Sequence, residues 1–348
     1  MPSRYGAIAM LALLLSPVAL AEKLTFLNWE VYLAPEVIER WESETGVKID
    51  QIYFDNDERR DRMMVEAGRH QIDLAVLDEV ASRLFGERGI SFAPTEAQAP
   101  NLEHLDPRFT AQCGRHSVPY LWGTLGIAYR SDKVLTAPTS WAELVRPSPE
   151  LAGHIGMIDD GADMLAPPLL MRDRSINSAS REVLQTAFDD LKQQVPSVLT
   201  YEYAITYLQS HPDADELYMA SAYSGDQDTL NEIEGGERWR YAVPGEGTIL
   251  WADCLAVVAE SDKQALAIRF IDFLNRPEIA AINAQAVWVA TPNSAAYELL
   301  DDEFRQDPTV YPPAEVMAKS QLYGVLSEEN LLLRQRITSA IRKLHDAR

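Results

Sequence analysis

Basic residues are scarce in this chain, and so are cysteine and histidine. Lys+Arg 31 stand against Asp+Glu 53 over 348 residues, a formal net charge of −22. A surface so acidic repels phosphate backbones and anionic headgroups, which argues against nucleic-acid or membrane-surface partners, and it concentrates cations instead. Cys 2 and His 6 leave little for a metal centre. The histidines (70, 104, 116, 154, 211 and 345) show no ligand-like spacing, so no metal and no cofactor are expected. Beyond the N-terminal stretch, no apolar run approaches the ~20 residues that a membrane-spanning helix needs. There is no internal repeat, no low-complexity tract and no nucleophile motif of the G-x-S-x-G kind.

The N-terminus carries what the rest lacks. Arg4, the apolar run Ala7 to Leu20 and the small-residue pattern Ala19-Leu20-Ala21 read as an export signal cleaved after Ala21. Cleavage leaves about 327 residues and, with Arg4 gone, a net charge of −23. No cysteine flanks the cleavage site, so a periplasmic rather than lipid-anchored protein is expected. The length suits two medium lobes, each with its own core. Cys113 and Cys254 could pair in an oxidising compartment or stay as separate buried thiols, and the sequence leaves both open.

The mature chain then alternates. Leu24 to Asn28 reads as a strand, Pro35 opens a helix that Gly46 ends, and Val47 to Phe54 returns as a strand. A helix over Asp57 to Ala67 leads to a buried strand over Ile72 to Leu77. Such alternation predicts an α/β layer with a mostly parallel sheet, whose ligand sites lie beyond the carboxyl ends of its strands. Ser117 to Arg130 is β-rich but interrupted by Gly123 and Gly126, as suits a chain crossing between lobes. Gly247 to Val258 would carry the chain back, and Glu328 to Leu344 reads as a final amphipathic helix.

Aromatics and carboxylates recur together at the strand ends. Trp251 and Asp253 are i and i+2 on a strand, so they share a face. A buried carboxylate needs a cation or several donors, and backbone amides at a strand end are the plainer alternative. The indole beside it offers a ring face to a cation. Trp29 and Tyr32 follow the first strand and could equally lid the core. Asp78 and Glu79 follow the third, where helix capping explains them as well as ligand contact does. Asp160 and Asp163 are three apart at a helix start and can face one opening. Tyr223 and Asp226 repeat the pairing.

With these pieces placed, the chain resembles the periplasmic spermidine/putrescine-binding proteins of ABC importers over almost its whole mature length. The resemblance rests on NWEVY (28–32), ETGVKI (44–49), VPYLWGTLGIAY (118–129), TSWAEL (139–144), DDGAD (159–163), LWADCLAV (250–257), FLNRPEIA (273–280), ATPNSAA (290–296) and VYPPAEVMAK (310–319). It implies a periplasmic-binding-protein-like fold of type II, with two α/β lobes joined by crossing hinge strands and a ligand cleft between them. On that template residues 1–21 are the signal peptide, 22–125 with 252–310 the first lobe, and 126–251 with 311–348 the second.

The same resemblance implies that Trp29, Tyr32, Asp160, Asp163, Asp226, Trp251 and Asp253 contact an extended polyamine, with Tyr223 standing where the family usually has Trp. On that resemblance Asp78 replaces a small hydroxyl residue, Val80 a polar or aromatic one, and Val289 a tyrosine for which the adjacent Trp288 is the candidate substitute. These departures put the ligand's identity in question more than its class. Carboxylates would take the ammonium groups while aromatic faces cover the methylenes, each contributing about 0.8 kcal/mol on burial. Closure of the lobes would relieve repulsion among the acids. The partner implied is the permease of an ABC importer or, for a sensor of the same fold, a membrane signalling receptor. A monomer and no enzymatic activity are expected.

Overall fold

The computed structural model describes residues 22–54 and 57–348; the expected leader lies outside the described residues. Its strands are β1 (Lys23–Trp29), β2 (Lys48–Phe54), β3 (Leu74–Leu77), β4 (Ser91–Phe92), β5 (Val118–Arg130), β6 (Ile155–Gly156), β7 (Val198–Thr200), β8 (Met219–Tyr223), β9 (Trp239–Ala242), β10 (Ile249–Val258) and β11 (Gln321–Leu322). They hydrogen-bond in the order β2-β1-β3-β10-β5-β8-β6-β7, with β4 and β11 on β10 and β9 on β5.

Two α/β lobes share this ladder. In the first, β1 runs parallel to β2 and β3, and β10 returns antiparallel against β3. Alternate side chains fill both faces. Leu24, Phe26, Leu74, Val76, Leu255 and Val257 pack on one side, with Trp41 and Phe270 from the helices Pro35–Thr45 and Gln264–Leu274. Leu27, Ala75, Leu77, Ala256 and Val258 pack on the other with Met64 and Phe85. In the second lobe β6 lies parallel to β7 and β8. Its larger core gathers Ile127, Trp141, Ile155, Leu184, Met219 and, from the last helix Glu328–Asp346, Ile337 and Ile341.

Local chemistry sets the element ends. Pro35 starts its helix where a missing N–H costs nothing, and Gly46 closes it at φ 71°, in the left-handed region. Ser140 caps the helix Trp141–Val145 and its backbone N–H donates to the Glu143 side chain at 3.1 Å, a full capping box.

β5 joins the lobes as one continuous strand, not the interrupted run its glycines suggested. Its residues up to Thr124 pair with β10, and those from Leu125 to Tyr129 pair with β8. The glycines seat rings instead of breaking the strand. A Cβ on Gly123 would lie 2.3 Å from the Trp251 indole, and one on Gly126 2.5 Å from the Tyr241 ring. Cys113 and Cys254 are bonded, with Cα atoms 5.8 Å apart, tying the helix Pro107–Cys113 to β10. That settles a question the sequence had left open.

Candidate functional site

The carboxyl ends of β1 and β3, the turn after β6, the end of β8 and the middle of β10 supply the site; Asp160 and Asp163 lie in that turn rather than at the expected helix start, since the helix begins only at Ala166. From the first lobe come Trp29, Tyr32, Glu79 and Asp253. Tyr32 donates its hydroxyl to Asp253 Oδ2 at 2.8 Å. Its own loop is held by Tyr120, whose hydroxyl donates to the Tyr32 carbonyl at 2.8 Å, and by Asn283, which accepts from the Ala34 amide and donates to Tyr120. Trp29 stacks at a tilt on Phe54 with centroids 4.3 Å apart. Trp251 pairs across the ladder with Gly123, so its ring lies over bare backbone at the crossing between lobes.

From the second lobe come Asp160, Asp163 and Tyr223. Asp163 is 5 % exposed and takes hydroxyls from Tyr223 on one oxygen and Tyr323 on the other. Asp160 Oδ1 accepts from the Ala162 amide at 2.7 Å and the Asp163 amide at 3.2 Å, which fixes the turn that presents Asp163. Asp226 sits behind Tyr223: it accepts the Tyr223 amide at 2.7 Å and the Tyr203 hydroxyl at 2.5 Å. It anchors the aromatic wall. Asp159, the neighbour of Asp160, pairs with Arg342 of the last helix and turns out of this set.

Electrostatics follow from this enclosure. Burial pushes Asp253 up to about 7 against the pull of the Tyr32 hydrogen bond. Asp163 rises to about 6 through burial and the nearby Asp160, with both tyrosine hydroxyls opposing. Burial lifts Asp226 to about 7 as well. Glu79 is also pushed up to about 7, first by burial and then by Asp78, Asp253 and Asp163. Since Asp163 belongs to the opposite lobe, the two acid groups sense each other across the cleft. The site is an array of carboxylates between aromatic rings, short of cations.

Of the residues the sequence singled out, Tyr32 is bonded to Asp253, and Asp160, Asp163, Tyr223 and Asp226 form a second bonded set, while Trp29 packs on Phe54 and Trp251 on the backbone of Gly123. Asp78 has both oxygens engaged: Oδ1 caps the helix Glu79–Glu87 through the amides of Val80 and Ala81, and Oδ2 meets Arg60 at 2.6 Å. Trp288 donates to Asp307 at 3.2 Å and packs on Phe304, so its partners are outside the cleft. Val80 is exposed and Val289 packs on the first-lobe core. Tyr323, Tyr203, Tyr120 and Arg60 went unnoticed. Tyr120 and Tyr323 have no carboxylate beside them in sequence, Tyr203 bonds Asp226 rather than its neighbour Glu202, and Arg60 reads only as part of a helix. Among the described residues no group of three or more His, Cys, Asp or Glu is arranged to hold a metal ion, and no helix is long and apolar enough to cross a membrane.

Two α/β lobes bridged by crossing strands, with a polar cleft between them, define a solute-binding protein of the periplasmic-binding type. The family model of the bacterial extracellular solute-binding proteins matches residues 36–312. The chain belongs to that family. It is 38% identical to the norspermidine sensor of Vibrio cholerae over 330 residues, covering 95% of this chain and 91% of the sensor. To the spermidine/putrescine-binding periplasmic protein of Escherichia coli it is 27% identical, covering 86% of this chain and 85% of that protein. In structure it matches the spermidine/putrescine ABC transporter substrate-binding protein of Streptococcus pneumoniae at a TM-score of 0.82 and 26% identity, covering 93% of this chain and 99% of the other.

Proposed function

We propose that the protein is a periplasmic polyamine receptor that closes on its ligand and hands it to an ABC importer. The observation that carries this reading is that Glu79 feels both Asp253 of its own lobe and Asp163 of the other, with Tyr32 bonded to Asp253 and Tyr223 to Asp163. The ligand's ammonium groups would meet the carboxylates, and its methylenes would lie against the rings. Empty, the acids repel one another and favour the open form. A bridging polycation removes that repulsion and favours closure in proportion to its preference for the closed state.

The moving bodies are taken as 22–125 with 252–310 and 126–251 with 311–348. Tyr311, Met317 and Leu322 nevertheless pack on the first-lobe cluster beneath Trp122, which bears on where the last crossing falls. The receptor acts as a monomer, and its site uses no catalytic group and no cofactor.

The 38% identity with a norspermidine sensor favours a second reading, in which the closed form signals to a membrane receptor rather than feeding a permease. Both readings share the cleft. Titration calorimetry of the ligand-stripped protein with putrescine, cadaverine, norspermidine, spermidine and spermine tests them jointly, and micromolar or tighter binding of one or two is the expected result. Uptake of labelled polyamine by cells lacking this chain separates them. A transport receptor is needed for uptake, and a sensor is not.

A further inference from the structure

Arg60 is a buried cation beside a site otherwise short of cations. Its side chain is 2 % exposed, yet it belongs to a helix, Asp57–Val65, whose outer face is charged. The guanidinium is enclosed by Asp57 at 2.8 Å, Asp61 at 2.8 Å and Asp78 at 2.6 Å. Its carbon Cζ lies 5.9 Å from the centre of the Phe54 ring, and Phe54 in turn stacks on Trp29 of the cleft wall. A cation held by carboxylates against an aromatic face is the arrangement the cleft offers to a ligand, here already filled by the chain itself. The cage also borders the site. Asp253, raised chiefly by burial and by Tyr32-opposed neighbours such as Asp78, is pulled back by Arg60. Asp57, raised by burial, feels Asp160 from the opposite lobe.

We propose that Arg60 is a built-in cation occupying one amine position of the cleft, so that Asp78 recognises the chain's own guanidinium and the receptor is set for the shorter polyamines. The inference rests on the polyamine reading for its ligand but not for its chemistry. With Arg60 in place, Asp57, Asp61 and Asp78 are already engaged by a guanidinium, so a fourth ammonium reaching this end would be desolvated without a free carboxylate to receive it. With Arg60 truncated, Asp57, Asp61 and Asp78 form an empty cation cage.

The test compares Arg60→Ala and Arg60→Met with the unaltered protein, the methionine variant filling the volume without the charge. Calorimetry with norspermidine and spermine should show the spermine-to-norspermidine affinity ratio rising at least tenfold in Arg60→Ala. Separately, millimolar ethylguanidinium should raise the melting temperature of Arg60→Ala by several degrees and leave Arg60→Met and the unaltered protein unmoved. An unchanged ratio, or no rescue by ethylguanidinium, overturns the proposal. If no polyamine binds any of the three proteins while ethylguanidinium still rescues Arg60→Ala, the polyamine reading fails and the cation cage stands.

Discussion

Tyr32 and Asp253, 221 positions apart in the chain, meet through a 2.8 Å hydrogen bond at the centre of the cleft. The phenol donates to a carboxylate that burial would otherwise keep protonated, so it lowers what the surroundings raise. Tyr32→Phe removes this donor without changing shape. A hydrogen bond to a charged group is worth roughly 1.5–3 kcal/mol, so polyamine affinity at neutral pH should fall at least tenfold. The pH midpoint of binding should move upward as Asp253 becomes harder to ionise. Calorimetric affinities from pH 6 to pH 9 check both effects, and a loss of affinity with an unmoved midpoint would assign Tyr32 to ligand contact alone.

Asp253→Asn should weaken binding by an order of magnitude or more, because it leaves a ligand ammonium buried without its counter-charge. The unliganded protein should meanwhile become more stable near pH 8, since the amide cannot carry the repelled charge. Equilibrium titration and thermal unfolding on the same preparation check the two opposite signs. Unchanged affinity would remove Asp253 from the site.

The raised acids also couple binding to protons. Asp253, Glu79 and Asp163 have folded values of about 7, about 7 and about 6, well above those of exposed carboxyls. Between the unfolded and folded values the native state binds more protons than the unfolded chain. Stability of the empty protein should therefore fall as pH rises through about 5 to 7. Ammonium groups need the ionised acids, so binding should release protons in that window and weaken as pH drops. Calorimetry at pH 6.5 in buffers of different ionisation enthalpy measures the released protons directly. No buffer dependence would mean that these carboxylates are already ionised when the cleft is empty.

Gly123→Ala tests the crossing point. The added methyl would lie 2.3 Å from both the Ser224 hydroxyl and the Trp251 ring, and the strand partner of Gly123 is Trp251 itself. The indole must move, at a cost of about 1–3 kcal/mol for overpacking. Affinity should fall through a displaced ring while the lobes stay folded, which circular dichroism and tryptophan fluorescence together would show.

How much of this was legible depended on whether a role was written in local spacing. The alternation of β1, β2 and β3 with their helices carries its own period, and Trp251 with Asp253 share a strand face whatever the fold. The glycines of β5 misled because sequence shows a missing side chain but not the ring that will occupy its place. The sequence left Asp78 open between helix cap and ligand contact, and it gave no sign of Arg60. Its partners Asp57 and Asp61 looked like exposed helix pairs until β3 brought Asp78 across. Tyr323 reaches Asp163 from 160 positions away, a relation that only the folded chain contains.

The disulfide beside the site offers a last separation of stability from function. Cys254 follows Asp253 directly, yet Asp253 is already fixed by Tyr32 and by strand pairing of β10 with β3 and β5. A bond closing a span of 141 residues acts mainly on the unfolded chain and is worth roughly 2–5 kcal/mol. The double variant Cys113→Ala, Cys254→Ala should thus melt about 3–7 °C lower. Its polyamine affinity at 25 °C should stay within about threefold, because the carboxylate's donors and neighbours are untouched. Differential scanning calorimetry and ligand titration check the pair of outcomes. A variant that keeps its melting temperature but loses affinity would show that the bond positions Asp253 rather than restraining the unfolded chain.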